Sequence, residues 1–259
     1  MSDGRNILIT GASGHIGTKL RRYLDTRGQV DLKLIDKDPK GDRTIIAADL
    51  AHYEESWTRH LQGVDTVVHL AAQAQPDAGW QDLEGPNVDA VINVYEACAD
   101  RCVRRLVFAS SMHAVTDDLR RKQTVTTSPP ASPGNLYGAT KVVGERLGNS
   151  YAERHGLSVI CLRLGWVRPD DYRPGGDMGA GWAQQLWLSD RDLCRGVERA
   201  IFVEDVPFAV LNLTSNNANP PWDLAQTSRT LELALQDEHH PVPEPWTARL
   251  RRGIGRLIS

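Results

Sequence analysis

Short apolar runs alternate with longer amphipathic stretches along the chain as far as about residue 165. Most of the short runs are rich in β-branched residues and show no polar alternation, which is typical of strands that are covered on both faces. The pattern predicts strands at 6–10, 32–35, 44–47, 66–70, 105–109, 158–164 and 208–213.

Helix-length stretches separate these runs, and the pattern predicts helices at 15–27, 87–101 and 137–155. Strands that alternate with helices indicate an α/β fold in which a doubly wound parallel sheet carries helices on both faces. We expect residues 1–165 to form the core of this fold. Residues 166–259, which begin with a loop dense in Pro, Gly and Asp, are expected to add a small C-terminal substrate-binding portion with the last strand and a helical segment. We expect one structural unit.

Composition narrows the choice of partners. With 259 residues the chain can bury one large core, and a formal charge of -3 gives no electrostatic reason to expect nucleic acid or an anionic membrane. No apolar stretch approaches the roughly 18 residues of a membrane span, and the start lacks a signal-peptide pattern, so we expect a cytoplasmic location. Of the four cysteines only Cys98 and Cys102 lie close together, and no further His or Cys lies near them to complete a metal site, so we expect none.

Three glycines follow the first predicted strand and open the first predicted helix. Gly11, Gly14 and Gly17 have the spacing of a dinucleotide-binding turn. The first glycine permits a tight turn, the second lets the backbone approach a pyrophosphate, and the third lets the helix pack closely on the strand. This context predicts a Rossmann-type site for NAD.

The residue that ends the second predicted strand decides which dinucleotide is favoured. Asp36 is placed to accept hydrogen bonds from the ribose hydroxyls, and its charge repels the extra phosphate of NADP. Lys37 follows directly and could soften that preference. Asp49, after the third strand, is expected either to reach the adenine amino group or to hold a turn.

A tyrosine and a lysine lie one helical turn apart in YGATK. Tyr137 and Lys141 face the same side of one predicted helix, and Ser111 ends the fifth strand, where an open α/β sheet places its ligand crevice. A nearby ammonium and a positive nicotinamide ring both favour the phenolate, so Tyr137 is expected to accept a hydroxyl proton. Ser111 is expected to hydrogen-bond the reacting oxygen.

The motifs GASGHIG, HLAA, FASS and YGATK, in this order, resemble those of the extended short-chain dehydrogenases/reductases. The resemblance implies Ser111, Tyr137 and Lys141 as catalytic residues, and Asn87 as a helper that holds a water near the lysine, although Asn87 could simply cap a helix. The residues that it implies around NAD are Gly11, Ser13, Gly14, His15, Ile16, Gly17, Asp36, Asp49, Leu50, Leu70, Ala71, Ala72, Tyr137 and Lys141.

Within that superfamily the chain is most similar to uronate dehydrogenases, which oxidise the anomeric hydroxyl of a sugar acid to a lactone. The similarity lies in FASSMH, in RPDDYR and in the short chain. It implies that Arg173 pairs with an anionic group of the sugar and that His113 contacts a hydroxyl, with Arg168 as a second cation. The full set of expected substrate-binding residues is Gln73, Gln75, Ser111, His113, Arg168 and Arg173.

Two departures from the uronate dehydrogenase pattern leave the chemical identity of the acidic group undecided. Met112 and Trp166 stand where the uronate enzymes have asparagine and serine, so a carboxylate, a phosphate or a sulfonate all fit. Trp166, Trp182 and Trp187 lie close to the loop and are expected to be core, with stacking on a sugar as the alternative.

Two other functions remain open. The first is a nucleotide-sugar epimerase or dehydratase with tightly bound NAD, and the second is a non-catalytic dinucleotide sensor. The superfamily commonly dimerises through a helix pair, so we expect a homodimer.

Overall fold

The computed structural model describes residues 5–28, 30–117, 125–127, 130–169 and 181–241. Its centre is a seven-stranded sheet in the order β3-β2-β1-β4-β5-β6-β7, with every neighbouring pair parallel. The strands are β1 (Arg5–Thr10), β2 (Val30–Asp36), β3 (Ile45–Ala47), β4 (Thr66–His69), β5 (Arg105–Ser111), β6 (Ser158–Leu164) and β7 (Phe208–Leu213). All the predicted strands and the predicted fold class are confirmed.

The described helices surround this sheet. They are α1 (His15–Asp25), α2 (Glu55–Thr58), α3 (Trp80–Leu83), α4 (Ala90–Asp100), α5 (Leu136–His155), α6 (Gly181–Gln184), α7 (Asp190–Phe202) and α8 (Ala225–Leu231). Short 3₁₀ turns lie at Arg59–Leu61 and Met112–Val115, and a π-helical turn, Glu84–Asp89, precedes α4. The three predicted helices are confirmed, whereas α2, α3, α6 and α7 were not predicted, and α8 follows the last strand, where a helical segment was expected without bounds.

Two hydrophobic cores lie on the two faces of the sheet, which explains why the strands show no polar alternation. In β1, Leu8 packs into the core that includes Tyr95 of α4, and Ile9 packs into the core that includes Leu20 of α1 and Val197 of α7. Leu8 and Ile9 are both fully buried, and each such side chain contributes about 1.5–3 kcal/mol by leaving water. Among the described helices, none is long and apolar enough to cross a membrane.

The order of the strands decides where a ligand can bind. From β1 the chain continues outwards to β2 and β3 on one side, and β4 then returns to pair with β1 on its other side. The connections at the carboxyl ends of β1 and β4 therefore diverge and leave a crevice between them. Every strand of the parallel sheet directs its carboxyl end to this same edge.

A buried ion pair ties α5 to the sheet. Arg163 of β6 donates from Nε and Nη2 to the two carboxylate oxygens of Glu145, both at 2.8 Å. Ser110 of β5 donates to the same carboxylate at 2.6 Å. At the preceding position, Gly144 packs on Phe108, since a Cβ at Gly144 would lie 2.3 Å from the ring. These contacts fix the register of α5 against β5.

Candidate active site

A cleft of about 1010 Å³ opens at the carboxyl edge of the sheet. Because this edge gathers the turns after β1, β2, β4, β5 and β6, residues far apart in the sequence meet there. All of the residues predicted to contact NAD line it, namely Gly11, Ser13, Gly14, His15, Ile16, Gly17, Asp36, Asp49, Leu50, Leu70, Ala71, Ala72, Tyr137 and Lys141.

The glycine turn has the close packing that the sequence predicts. Gly11 has a φ of 69°, and a Cβ there would lie 2.7 Å from the backbone nitrogen of Ala71 in the neighbouring turn. A Cβ at Gly17 would lie 2.1 Å from the carbonyl oxygen of Gly11, so α1 can approach the turn only with glycine at this position.

The N-terminus of α1 faces the cleft. Gly14 is the N-cap and no side chain caps the helix, so the first N–H groups of α1 are open to an anion. The glycine cradle and this helix end together fit the pyrophosphate of a dinucleotide.

Asp36 organises the end of the cleft where the adenosine ribose would lie. Its Oδ2 accepts from the Ser13 N–H at 2.9 Å, and its Oδ1 accepts from the Asp38 N–H at 3.1 Å. Lys40 adds a hydrogen bond of 3.2 Å from its Nζ to the Ser13 carbonyl. Asp38 and Lys40 also line the cleft, and we did not predict either of them. Their signal was their position within four residues of a strand end.

Lys37 and Asp49 form an ion pair across this end of the cleft. Lys37 Nζ lies 2.7 Å from Asp49 Oδ2, and the hydrogen bond lowers the pKa of Asp49. Asp49 Oδ1 also accepts from the Ala51 N–H at 3.1 Å, so Asp49 holds a turn while it lines the cleft. The pairing neutralises the lysine that follows Asp36, which supports the preference for NAD.

Ser111, Tyr137 and Lys141 come together beside the glycine turn. Ser111 is the last residue of β5, and Tyr137 and Lys141 lie in the first two turns of α5, with relative exposures of 7%, 8% and 4%. The interaction with Ser111 lowers the pKa of the Tyr137 phenol, while the larger effect of burial raises it. Burial sets the direction of this shift, and the predicted effect of Lys141 on the phenol stays a prediction.

Burial acts on the lysine as well. Lys141 Nζ lies 5.5 Å from the centroid of the Tyr137 ring and 5.3 Å from that of Phe108. Removal of the ammonium from water lowers the pKa of Lys141 to about 8. The side chain is therefore a cation at neutral pH and loses its charge in mildly alkaline solution.

Asn87 lies in the π-helical turn and is not a helix cap. Its Nδ2 donates to the Gln73 carbonyl at 3.0 Å and to Thr140 Oγ1 at 3.2 Å, and its Oδ1 accepts from the Gln73 N–H at 2.7 Å. The widened turn accommodates Pro86, which has no N–H to donate. Asn87 thus joins the loop after β4 to the residue before Lys141, and the water-holding role stays a prediction.

The predicted substrate residues separate into three groups. Gln73, Gln75, Ser111 and His113 line the cleft. Arg168 is not part of the described lining, and its guanidinium lies 6.0 Å from the centroid of the Trp166 ring. Arg173 lies outside the described residues, so its role stays a prediction.

A lysine of α1 holds the chain that follows β6. Lys19 Nζ donates to the Arg168 carbonyl at 3.0 Å and forms an ion pair with Asp190 at the start of α7. The helix that begins at the glycine turn is therefore bonded directly to the segment predicted to recognise substrate.

The tryptophans near this segment differ. Trp187 is core, with 2% exposure, as we predicted, whereas Trp166 lines the cleft with 46% exposure. The Trp182 side chain lies outside the described part of the chain. Trp166 thus presents an aromatic surface where the uronate pattern has a serine. Within the described residues, no group of His, Cys, Asp and Glu is arranged to hold a metal ion.

A doubly wound sheet, a glycine cradle at a helix N-terminus and a Ser-Tyr-Lys set in one cleft define a Rossmann-type dinucleotide-binding protein with oxidoreductase chemistry. The model of the NAD dependent epimerase/dehydratase family matches residues 7–168, and the chain belongs to this family.

Similarity to individual proteins extends over most of the chain. L-arabinose 1-dehydrogenase (NAD(P)(+)) of Haloferax volcanii is 34% identical over 255 residues, which cover 92% of this chain and 99% of that protein. Uronate dehydrogenase of Pseudomonas putida is 30% identical over 224 residues, 84% of this chain and 79% of that protein. A solved glucuronic acid dehydrogenase from Chromohalobacter salexigens superposes with a TM-score of 0.78 at 26% identity, covering 96% of this chain and 89% of that one.

Proposed function

We propose that the protein oxidises the anomeric hydroxyl of an acidic monosaccharide to its lactone, with NAD as the hydride acceptor. The observation that carries the proposal is that Ser111, Tyr137 and Lys141 line the cleft that also holds the glycine cradle. The similarity to sugar dehydrogenases over nearly the whole chain supports it.

The oxidation converts C–OH into C=O and releases a proton and a hydride. Tyr137, as phenolate, accepts the proton from the anomeric hydroxyl, and Ser111 donates a hydrogen bond to the same oxygen as it becomes a carbonyl. When bound, NAD accepts the hydride, and its positive ring favours the phenolate. Lys141, cationic at neutral pH, would hold the ribose of the nicotinamide half of NAD.

We also propose how the acidic group of the sugar is recognised. Arg173 is proposed to pair with this group. Whether the group is a carboxylate, a phosphate or a sulfonate is proposed to depend on the segment after β6. A neutral aldose is the second candidate, because the relative that is 34% identical is named for L-arabinose. The exposed Trp166 ring supports either sugar, since it offers a stacking surface and no charge.

One experiment separates these functions. NADH absorbance is followed with the purified protein and NAD against glucuronate, galacturonate, L-arabinose, glucose 6-phosphate, a sulfonated sugar and UDP-glucose. Turnover of an acidic sugar supports the proposal, and a higher kcat/KM for L-arabinose supports the neutral aldose. Conversion of UDP-glucose without net NADH would instead establish an epimerase or dehydratase. Binding of NAD without turnover of any substrate would establish a sensor.

Arg173→Ala tests the anionic group directly. We expect the KM of the acidic sugar to rise at least tenfold while the KM of a neutral sugar stays within twofold, because only the first loses a charge-assisted hydrogen bond. Equal losses on both sugars would contradict the pairing. Arg191, on α7, provides the matched control, since Arg191→Ala removes an arginine whose side chain bonds Asp237.

Assembly and location belong to the same proposal. We propose a homodimer formed through α4 and α5, supported by Ile92 and Val143, which are each 40% exposed on these helices. Sedimentation or native mass spectrometry at micromolar concentration tests it, and a monomer that keeps full activity would overturn it. The cytoplasmic location stays a prediction.

A further inference from the structure

Asn135, the N-cap of α5, uses both ends of its side-chain amide. Its Oδ1 accepts from the Gly138 N–H at 2.7 Å, and its Nδ2 lies 3.0 Å from Nδ1 of His113. An amide oxygen only accepts and an amide nitrogen only donates, so the bond with Gly138 decides which end faces the histidine. Asn135 therefore donates to His113 Nδ1.

This contact determines the protonation of the His113 ring. Burial lowers the pKa of His113, so the ring is neutral at physiological pH and carries one proton. Because Nδ1 accepts from Asn135, that proton lies on Nε2. Within the described residues, Nε2 has no protein hydrogen-bond partner, and His113 lines the cleft. The ring thus offers an N–H donor to whatever occupies the cleft.

The backbone of His113 is held independently of its ring. The His113 N–H donates to Ser111 Oγ at 3.2 Å, and Thr116 Oγ1 donates to the His113 carbonyl at 3.3 Å. The first turn of α5 lies on the same carbonyl, since a Cβ at Gly138 would be 2.2 Å from it. These contacts place the residue, and among the described contacts it is the bond from Asn135 that distinguishes the two edges of the imidazole.

We propose that Asn135 is a positioning residue that presents His113 Nε2–H to the sugar, so that this side of the cleft selects an oxygen that accepts a hydrogen bond. The inference rests on the proposed function and deepens it, because it states the kind of contact made beside the reacting hydroxyl. It also separates the roles of two neighbours. The His113 ring lies 5.6 Å from the Tyr137 ring, and its only lone pair points at Asn135, which leaves Tyr137 as the proton acceptor.

The first test needs no substrate. Long-range ¹H–¹⁵N correlation spectra of the full-length protein, assigned with His113→Gln, report which imidazole nitrogen carries the proton. We expect Nε2–H in the wild type and averaged nitrogen shifts in Asn135→Ser, which keeps a capping oxygen and cannot reach the ring. A wild-type His113 with its proton on Nδ1 would overturn the inference, whether or not any tested sugar is oxidised.

The second test asks whether Asn135 acts through His113. On the sugar that the wild type oxidises best, Asn135→Ser is expected to raise KM about fivefold, since a ring that can turn over loses one hydrogen bond. NAD affinity is expected to change less than twofold. In a His113→Gln background, whose side-chain amide supplies its own donor, Asn135→Ser should add less than a twofold change. The same loss in both backgrounds would show a merely structural role and refute the proposal.

The outcomes also separate this inference from the proposed function. If the wild type oxidises none of the sugars, the proposed function fails while the spectra still decide the positioning of His113. If sugars are oxidised and Asn135→Ser leaves their KM unchanged, the inference fails and the proposed function stands.

Discussion

Lys141 places its Nζ 5.3 Å from the centroid of the Phe108 ring, and this apolar setting lowers the pKa of the lysine to about 8. An ordinary lysine has a pKa of 10.5, so the folded protein holds this proton less tightly than the unfolded chain does. Below pH 8 the buried charge is destabilising, and between about pH 8 and 10.5 this cost disappears as the unfolded chain also loses its proton.

Lys141→Met is therefore expected to abolish turnover and to stabilise the fold. At 1.36 kcal/mol for each pKa unit, the lowered pKa of Lys141 corresponds to a gain of about 3 kcal/mol in the free energy of unfolding at pH 7. Urea unfolding at pH 7 and at pH 10.5 measures it, and the gain over the wild type should shrink at the higher pH. A variant that is less stable than the wild type at pH 7 would contradict the prediction.

His69 predicts a sensitivity to acid. The side chain is fully buried against Phe108 and bonds Thr10 through Nδ1 at 2.8 Å, and burial lowers its pKa to about 3. Between pH 6.5 and 3 the unfolded chain binds a proton that the folded protein excludes, so the free energy of unfolding decreases as the pH is lowered. When the pH is lowered from 7 to 4, the free energy of unfolding of His69→Asn should decrease by about 3 kcal/mol less than that of the wild type. His52→Asn, at a histidine whose side chain is 72% exposed, is the matched control variant.

The buried pair of Glu145 and Arg163 predicts strong coupling. Replacement of either residue leaves the other charge buried without its partner, which costs about 3–5 kcal/mol. The double variant Glu145→Leu, Arg163→Met removes both charges and is expected to be more stable than either single variant. Chemical unfolding of all four proteins gives the coupling energy, and additive losses would show that the pair is not coupled.

Substitution of Gly17 is expected to weaken dinucleotide binding. In Gly17→Ala the new Cβ would lie 2.1 Å from the Gly11 carbonyl, so α1 must move away from the turn. We expect the Kd for NAD to rise more than tenfold, measured by calorimetry, together with a cost in stability of about 1–3 kcal/mol. Gly79→Ala is the matched control, because no atom lies within 4 Å of a Cβ there. Equal NAD affinity in the two variants would contradict the role of the glycine turn in binding the dinucleotide.

Tyr137→Phe removes the hydroxyl and keeps the ring. Because the phenol oxygen is the proposed proton acceptor, kcat should fall at least a thousandfold while the Kd for NAD stays within twofold. Stopped-flow or steady-state NADH absorbance measures the rate. A variant that retained more than a tenth of the wild-type kcat would exclude the proton-transfer role.

Much of the fold follows from local patterns in the sequence. The strands are apolar on both faces because helices cover both sides, and that pattern is visible without coordinates. The helix α7 also had a readable signal, since Ser189 caps it and Leu193 and Val197 follow at helical spacing, although we did not predict it. The helix α8 has only seven residues, too few for a periodicity to stand out.

The site shows the limit of sequence reasoning more clearly. Glycines, Asp36, Ser111, Tyr137 and Lys141 were predictable, because each lies at a strand end or a fixed helical spacing. The contact of Asn135 with His113 was not, since the two residues are 22 positions apart and meet only when α5 packs on the turn after β5. The π-helical turn at Pro86 was equally hidden, because an internal proline normally ends a helix.

The bond from Lys19 to the Arg168 carbonyl has a consequence for ligand cooperativity. One helix contributes its amino end to the phosphate cradle and a side chain to the segment beyond β6, so any movement of this helix on binding of the dinucleotide would be felt by that segment. Such coupling is reciprocal by thermodynamic necessity: the factor by which the dinucleotide alters sugar affinity equals the factor by which the sugar alters dinucleotide affinity.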